Sequence, residues 1–464
     1  MKRIITAALT AWQHSKNRKP LILKGARQVG KTFILKEFAA RSYPNYHYLN
    51  FEKQPKLASL FDGDLDPSRI LQSLGLHLQT TIDPYRDLII FDEIQACPNA
   101  LTSLKYFCED EPHVHICAAG SLLGAYLTPV SYPVGKVDHL NLYPMSFLEF
   151  LMAMGDEQYV AFLQTLNNDA IIPSVAHDHL WQRWKHYLIT GGLPEVVKIY
   201  CELQPDLFSA FGAVRAKQQD LIEDYFSDIA KHSGKINAMH INRIWRNIPE
   251  QLAKTQDSSA KKFKFKGAVP GIDRYQKLSD ALDWLVSAGL VIKTHVINSA
   301  ELPLKAYIKE NHFKLFLFDV GILGAMSEIQ PQTLLDYQYG TYKGFVAENY
   351  IAQAFTFSSS ASLYSWAENM AEIEFVRDIH GNAIPIEVKS GWVTQAKSLS
   401  VFTQKYHPSY RVIMSAQPFA INHQTHLQKI PLYLAELWPL RDCNSASGSG
   451  SANDRDSSKK SFLA

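Results

Sequence analysis

The chain has 464 residues, 46% hydrophobic and 20% charged, with a formal net charge of +2. That length predicts two to four folding units of roughly 100–200 residues, the composition excludes a chain disordered throughout, and the near-neutral balance leaves any nucleic-acid contact to a local basic patch. The cysteines at 97, 108, 117, 201 and 443 show no C-x-x-C spacing, which argues against a zinc site or a disulfide framework and predicts reduced thiols in a cytoplasmic protein.

From the first residue, Met1-Lys2-Arg3 followed by the apolar stretch 4–12 imitates a signal peptide, but the stretch is short and predicts an amphipathic helix. No run approaches the ~20 apolar residues of a membrane span, so a soluble protein with no membrane partner is expected. Short apolar runs at 20–24, 46–51, 87–91 and 114–119 alternate with helical stretches, the pattern of a parallel sheet wrapped by helices.

Between the first strand and a helix over 33–41 stands Gly25-Ala26-Arg27-Gln28-Val29-Gly30-Lys31-Thr32, a full match to the phosphate-binding loop G-x-x-x-x-G-K-[ST] in the setting its mechanism requires. The glycines let successive N–H groups of residues 25–30 turn toward phosphates, and the positive end of the helix adds to the field. Lys31 is expected to reach the β and γ phosphates of ATP, and Thr32 to offer its hydroxyl to Mg2+. Arg27 is read as structural.

The strand 87–91 runs into Asp92-Glu93 at the sheet edge where ligands bind in such folds. Asp92 is expected to hold magnesium through water, and Glu93 to act as the base that polarises the attacking water. Alone, an acidic pair after a strand is more often a helix cap; coupled to the loop, it points to catalysis. Ser121, after the strand 114–119, is assigned as a sensor of the γ phosphate, against plain turn chemistry. The catalytic set is therefore Lys31, Glu93 and Ser121. Farther on, Thr190-Gly191-Gly192-Leu193-Pro194-Glu195 predicts a helix-to-helix turn acting as a structural hinge.

Over 203–326 the periodicity is mostly helical, ending in a helix at 275–285, Gly289 and a strand, which suits a winged-helix unit. Lys261-Lys262-Phe263-Lys264-Phe265-Lys266 alternates lysine with phenylalanine; on a strand it would set most lysines on one face. That face is either a wing meeting nucleic-acid phosphates or a merely solvated strand. From about 335 a helix leads to a hairpin centred near His380-Gly381, with strand, helix and strand signals after it. Beyond Cys443 the Ser/Gly run predicts a disordered tail.

The phosphate loop, Phe91-Asp92-Glu93-Ile94-Gln95, Tyr143-Pro144-Met145-Ser146-Phe147-Leu148-Glu149-Phe150 and Gly191-Gly192-Leu193-Pro194-Glu195 together resemble the widespread prokaryotic AAA-type ATP-binding proteins of largely unassigned role. The resemblance spans residues 1 to about 440 and implies an α/β architecture: an AAA-type P-loop ATPase at 1–202, a helical, winged-helix region at 203–334 and an α/β restriction-endonuclease-like domain at 335–440, with a tail at 441–464. In the third domain it implies a nuclease-like site of Glu348, Glu374, Glu387 and Lys389. Strand alternation puts Glu387 and Lys389 on one face, and the hairpin sets Glu374 across from Glu387. Two carboxylates and a lysine then converge as a magnesium-assisted hydrolase needs. Active members of that superfamily usually carry aspartate where this chain has Glu374, so the site is either working or retired, or the three side chains form a cross-strand ion cluster.

The function expected is magnesium-dependent ATP binding and hydrolysis whose nucleotide state repositions the C-terminal domains on or near nucleic acid. The alternatives are an ATP-gated metal-dependent nuclease and a nucleotide-dependent regulatory switch that binds protein. The partners admitted are ATP, nucleic acid and further copies of the chain.

Overall fold

Leu88-Ile89-Ile90-Phe91 is too short for a helix and apolar on both faces, as an inner strand of a covered parallel sheet must be. It is such a strand in the computed structural model, which describes residues 1–121, 132–233, 235–254, 262–265, 267–272, 274–336, 342–390 and 397–440. The first compact unit, Lys2–Tyr143, contains α1 (Ile5–Gln13), β1 (Leu21–Lys24), α2 (Lys31–Ser42), β2 (Tyr46–Asn50), α3 (Pro67–Leu78), β3 (Leu88–Asp92), α4 (Pro98–Asp110), β4 (His115–Gly120) and β5 (Asp138–Asn141). The strands form one sheet in the order β2-β3-β4-β1-β5, every pair parallel.

The expected strands are present with ends shifted by a residue or so, and the opening segment is a helix. The strand β5 has no apolar run to announce it. Asp138-His139-Leu140-Asn141 is a half-exposed edge strand, and the backbone of β1 supplies its pairing. The core at the strand ends is a triangle of Phe51, Phe61 and Phe91, each pair edge-on at 5.6 Å between centroids. Edge-on rings at that spacing add to their burial, and two of them adjoin Asn50 and Asp92 in sequence. The triangle therefore fixes the ends of β2 and β3.

The second compact unit begins at Pro144. Its helices are α5 (Phe147–Ala153), α6 (Glu157–Gln164), α7 (Ser174–Thr190), α8 (Pro194–Leu203), α9 (Leu207–His232), α10 (Lys235–Lys254) and α11 (Ser279–Ser287), followed by β6 (Val291–Ile297), β7 (Ile308–Leu317), α12 (Val320–Met326), α13 (Pro331–Asp336) and α14 (Tyr342–Ser358). After these come β8 (Leu363–Glu368), β9 (Ala371–Ile379), β10 (Asn382–Val388), α15 (Lys397–Tyr406), β11 (Arg411–Ser415), β12 (Ala420–Asn422) and β13 (Leu427–Pro431). The sheet order is β12-β13-β11-β10-β9-β8-β6-β7. Because β6 pairs parallel with β8, strands from both sides of residues 334 and 335 share one sheet.

The hairpin between β9 and β10 pairs Ile379 with Asn382. His380 and Gly381 have φ of 51° and 79°, the positive pair a two-residue primed turn demands. Toward β8 the register shifts: Tyr364 faces Val376 but Trp366 faces Ile373, so Glu374 and Phe375 together oppose Ser365. That is a β-bulge, which re-aims the side chains beside it.

Lys262 to Phe265 do not form the expected strand. One backbone bond, Phe263 N to Phe313 O at 2.7 Å, tethers the segment to β7. The rings of Phe263 and Phe265 pack on Phe313, while Lys264 is exposed. The alternation is thus set by ring burial without a ladder. Lys261, Lys266, Cys443 and the tail lie outside the described residues. Cys97, Cys108, Cys117 and Cys201 are free thiols, and among the described residues no helix is long and apolar enough to cross a membrane.

Two sequence motifs meet within the second unit. Met145 N donates to Gly192 O at 2.5 Å, Tyr187 Oη donates to Met145 O at 2.6 Å, and Gly192 N donates to Asp319 Oδ2 at 2.7 Å. Asp319 also caps α12 through Ile322 N at 3.0 Å. Burial pushes its carboxyl up to about 6. Ser146 and Glu149 form a capping box on α5, and Glu436 accepts from Phe147 N at 2.5 Å and Leu148 N at 3.3 Å. Gly191 has φ of 71°, and a Cβ there would strike the Asp319 carboxylate.

Gly191→Ala is therefore expected to cost at least about 1–3 kcal/mol from backbone strain and to lower the thermal midpoint by several degrees. Gly212→Ala, on an open face of α9, is expected to raise stability by about 0.5–1 kcal/mol. Equal midpoints for the two variants in thermal denaturation would refute the steric assignment.

Candidate functional site

The loop of residues 25–30 connects β1 to α2, a helix of 12 residues. Its bends sit where side chains resist them: Gln28 has φ of 64° and Gly30 of 94°. A Cβ on Gly25 would collide with the carbonyl of Leu142, the residue following β5. Leu142 N in turn donates to Lys24 O at 2.7 Å. The loop is thus pinned to the chain that leaves the first unit. Arg3 strengthens the pin, since its guanidinium donates to Val29 O at 3.0 Å and to Tyr143 O at 2.7 Å. Nothing in the local sequence marks Arg3 for that task.

Lys31 lies inside the curl of the loop, donating to Gly25 O at 3.0 Å and Ala26 O at 2.7 Å. Thr32 Oγ1 donates to Asp92 Oδ2 at 2.8 Å, joining the two halves of the site. Asp92 is buried at the end of an apolar strand and collects further donors: Tyr48 Oη at 2.6 Å, Asn50 Nδ2 at 3.3 Å and, on its other oxygen, Glu93 N at 3.1 Å. Burial and the bond to Asp92 raise the Tyr48 phenol to about 12. Tyr48 and Asn50 were not singled out in the sequence, although Asn50 is the register partner of Asp92.

Glu93 follows with a left-handed backbone, φ 50° and ψ 45°, and accepts from Gln95 Nε2 at 2.6 Å. Ser121 follows the end of β4, the neighbour of β3, and its Oγ accepts from Arg27 Nε at 3.4 Å. Arg27 also lies 3.7 Å from Glu52. Among the described residues no group of three or more His, Cys, Asp or Glu side chains could hold a metal. Thr32 and Asp92 offer two hard oxygens at one place, a donor set that suits magnesium sharing its shell with phosphate and water.

The second set of predicted residues also comes together. Val388 N donates to Glu374 Oε2 at 3.0 Å, so Glu374 faces the end of β10 as the hairpin predicts. Lys389 Nζ lies 2.5 Å from Glu387 Oε1. Glu348, on α14, is 3.5 Å from a residue the sequence reading passed over, Lys314 on β7, which is also 2.5 Å from Glu372. A lysine within Phe313-Lys314-Leu315-Phe316-Leu317 was the available signal. Burial pushes Glu374 well above the carboxylate range, with Glu387 and Glu348 adding repulsion. Burial alone would lower Lys314, yet Glu348, Glu372 and Glu374 hold it above its ordinary value.

Residues 17–151 match the family model described as an AAA domain. Residues 182–333 and 342–433 match two domains of unknown function, DUF8612 and DUF4143. No curated protein matches the chain. Among solved structures, the Walker-type ATPase PABY2304 of Pyrococcus abyssi is 16% identical at a TM-score of 0.44, covering 70% of this chain and 95% of that one. The RuvB Holliday junction branch migration motor of Thermotoga maritima is 15% identical at 0.29, over 63% and 87%. The Drosophila ORC bound to DNA is 14% identical at 0.26, over 66% and 89%. At those scores the family match carries the assignment: the N-terminal region is an AAA-type P-loop ATPase domain.

Tyr48→Phe removes one donor from a buried carboxylate, a bond worth about 1.5–3 kcal/mol when the acceptor is charged. ATP turnover per unit of bound nucleotide is expected to fall roughly 10- to 100-fold, and the thermal midpoint to fall by several degrees. Steady-state phosphate release is the measurement, and wild-type kcat/KM would remove Tyr48 from the site.

Proposed function

We propose that this chain binds ATP with magnesium and hydrolyses it, and that the nucleotide state is passed to the unit beginning at Pro144 for action on or near nucleic acid. The observation that carries the reading is the 2.8 Å bond between Thr32 Oγ1 and Asp92 Oδ2, which brings the helix of the phosphate loop and the acidic strand end to one point. Magnesium, when bound, neutralises phosphate charge and orients the phosphates. The loop N–H groups and Lys31 hold the phosphates, Thr32 and Asp92 hold the ion, and Glu93 takes the proton of the attacking water. Gln95 orients the Glu93 carboxylate, and Ser121 reports on the γ phosphate.

The pin between the loop and the departing chain supports the transmission step. Through Leu142, Arg3 and Tyr143, a shift of residues 25–30 moves the exit of the first unit directly. Arg27 is engaged with Ser121 and Glu52, so the cation that completes the site comes from a further copy of the chain in a homo-oligomer. The helix α11 leading into the β6–β7 hairpin supports a winged-helix reading. The run of α14, antiparallel β8 to β10, α15 and parallel β11 supports an endonuclease-like one. Lys264, exposed beside inward-turned rings, is the residue placed to meet phosphates, and free thiols among the described residues suit the cytoplasm.

Lys31→Ala is expected to eliminate ATP turnover with the fold intact, whereas Glu93→Gln keeps ATP bound and lowers its hydrolysis by roughly 10²–10⁴. Nucleotide binding and phosphate release separate the two effects. Undiminished hydrolysis in Lys31→Ala would defeat the proposal. Double-stranded DNA is expected to stimulate turnover in wild type and less so in Lys264→Glu, more strongly at low salt; stimulation absent at every salt concentration would favour the protein-binding switch.

A further inference from the structure

A metal-dependent hydrolase built on Glu348, Glu374 and Glu387 needs a place where carboxylate oxygens converge on a single divalent cation. In this sheet Glu348 and Glu387 each face an ammonium group, and Glu374 faces a backbone N–H. Lys314 is 7% exposed and extends from β7 to within 2.5 Å of Glu372 and 3.5 Å of Glu348. Phe313 and Leu315, buried on either side of it, hold its strand in place. Lys389 takes Glu387 at 2.5 Å, and the backbone N–H of Val388 takes Glu374 at 3.0 Å.

Each candidate ligand carboxylate therefore already has a partner on one oxygen, while Glu387 Oε2 is buried without one. A divalent ion among them would sit beside two fixed positive charges in a medium of low dielectric, where like charges repel strongly. The arrangement also joins three elements. Lys314 ties β7 to α14 through Glu348 and to β9 through Glu372, and Lys389 closes the end of β10.

We infer that the Lys314 ammonium, with a single positive charge, stands in for the divalent cation, so that these glutamates form a metal-free ion cluster fastening β7 to α14 and to the β9–β10 hairpin. The inference rests on the endonuclease-like reading of this sheet. It assigns Lys314, through its own charge, as the residue that keeps the cluster from binding metal.

The test uses the full chain without nucleotide, carrying Asp92→Asn so that the phosphate-loop site contributes nothing, with Mn2+ binding followed by the loss of the free-ion electron paramagnetic resonance signal. With Lys314 intact, no stoichiometric binding and no Mn2+-induced rise in thermal midpoint are expected. Lys314→Met vacates the position and is expected to gain one Mn2+ per chain, lost again when Glu387→Gln is added. Removing one partner of a buried ion cluster is destabilising, so if Lys314→Met does not fold, the Lys314-intact chain decides. Mn2+ binding there that Glu387→Gln abolishes, or Mn2+-dependent cleavage of DNA by that chain, overturns the inference and leaves the endonuclease-like reading standing. A folded Lys314→Met that binds no Mn2+ overturns both, because the carboxylates then offer no cation site at all.

Discussion

An ionised carboxylate inside a protein is tolerated only when donors or cations replace the water it has lost. Asp92 meets that condition with Thr32, Tyr48, Asn50 and the N–H of Glu93, which come from α2, β2 and the residue after β3. Four groups on three segments reach one side chain only if the strand ends are rigid. The triangle of Phe51, Phe61 and Phe91 provides that rigidity from the apolar side of the same strands. Core and site are therefore one construction: the rings fix where β2 and β3 stop, and the donors make the charge at that point bearable.

The second unit answers the same constraint with backbone. Asp319 and Glu436 are buried carboxylates whose partners include main-chain N–H groups, at Gly192 and Ile322 for one and at Phe147 and Leu148 for the other. Burial pushes the first up to about 6 and the second to about 7. This gives two further motifs a structural role. The segment at 143–150 and the Gly191-Gly192 turn meet through Met145 and Gly192, and the glycine at 191 leaves room for the carboxylate of Asp319.

What could be read in the sequence divides along the range of the interactions. The phosphate loop, the apolar strands and the turn at His380-Gly381 are written in consecutive residues, because backbone conformation and burial of a short run are local matters. The register that brings Glu374 to Glu387 followed from counting back from that turn. By contrast, β5 is a strand because β1 pairs with it, and its own residues carry no such signal. Arg3 reaches Tyr143 across a separation of 140 residues. Lys262 to Phe265 have strand-like alternation because two rings found a partner in Phe313, and only one backbone bond accompanies them. Periodicity reports which side is buried; it does not report whether a neighbouring strand is there.

The same gap explains why the glutamates of the second unit's sheet could not be interpreted from their own strands. Alternation places Glu387 and Lys389 together and a hairpin adds Glu374, and to that point the pattern of a metal site and that of an ion cluster are identical. The deciding group, Lys314, comes from β7, three strands beyond β9 in the sheet order. Around Asp92 the side-chain partners are neutral hydroxyl and amide groups, which can turn toward other acceptors when a cation arrives. Around Glu348 and Glu372 the partner is itself a cation on a buried strand. Two unit charges 4 Å apart repel by about 4 kcal/mol at an effective dielectric of 20, and a divalent ion doubles that. The carboxylate chemistry of the two places is alike, and what differs is the charge of the group that already faces it.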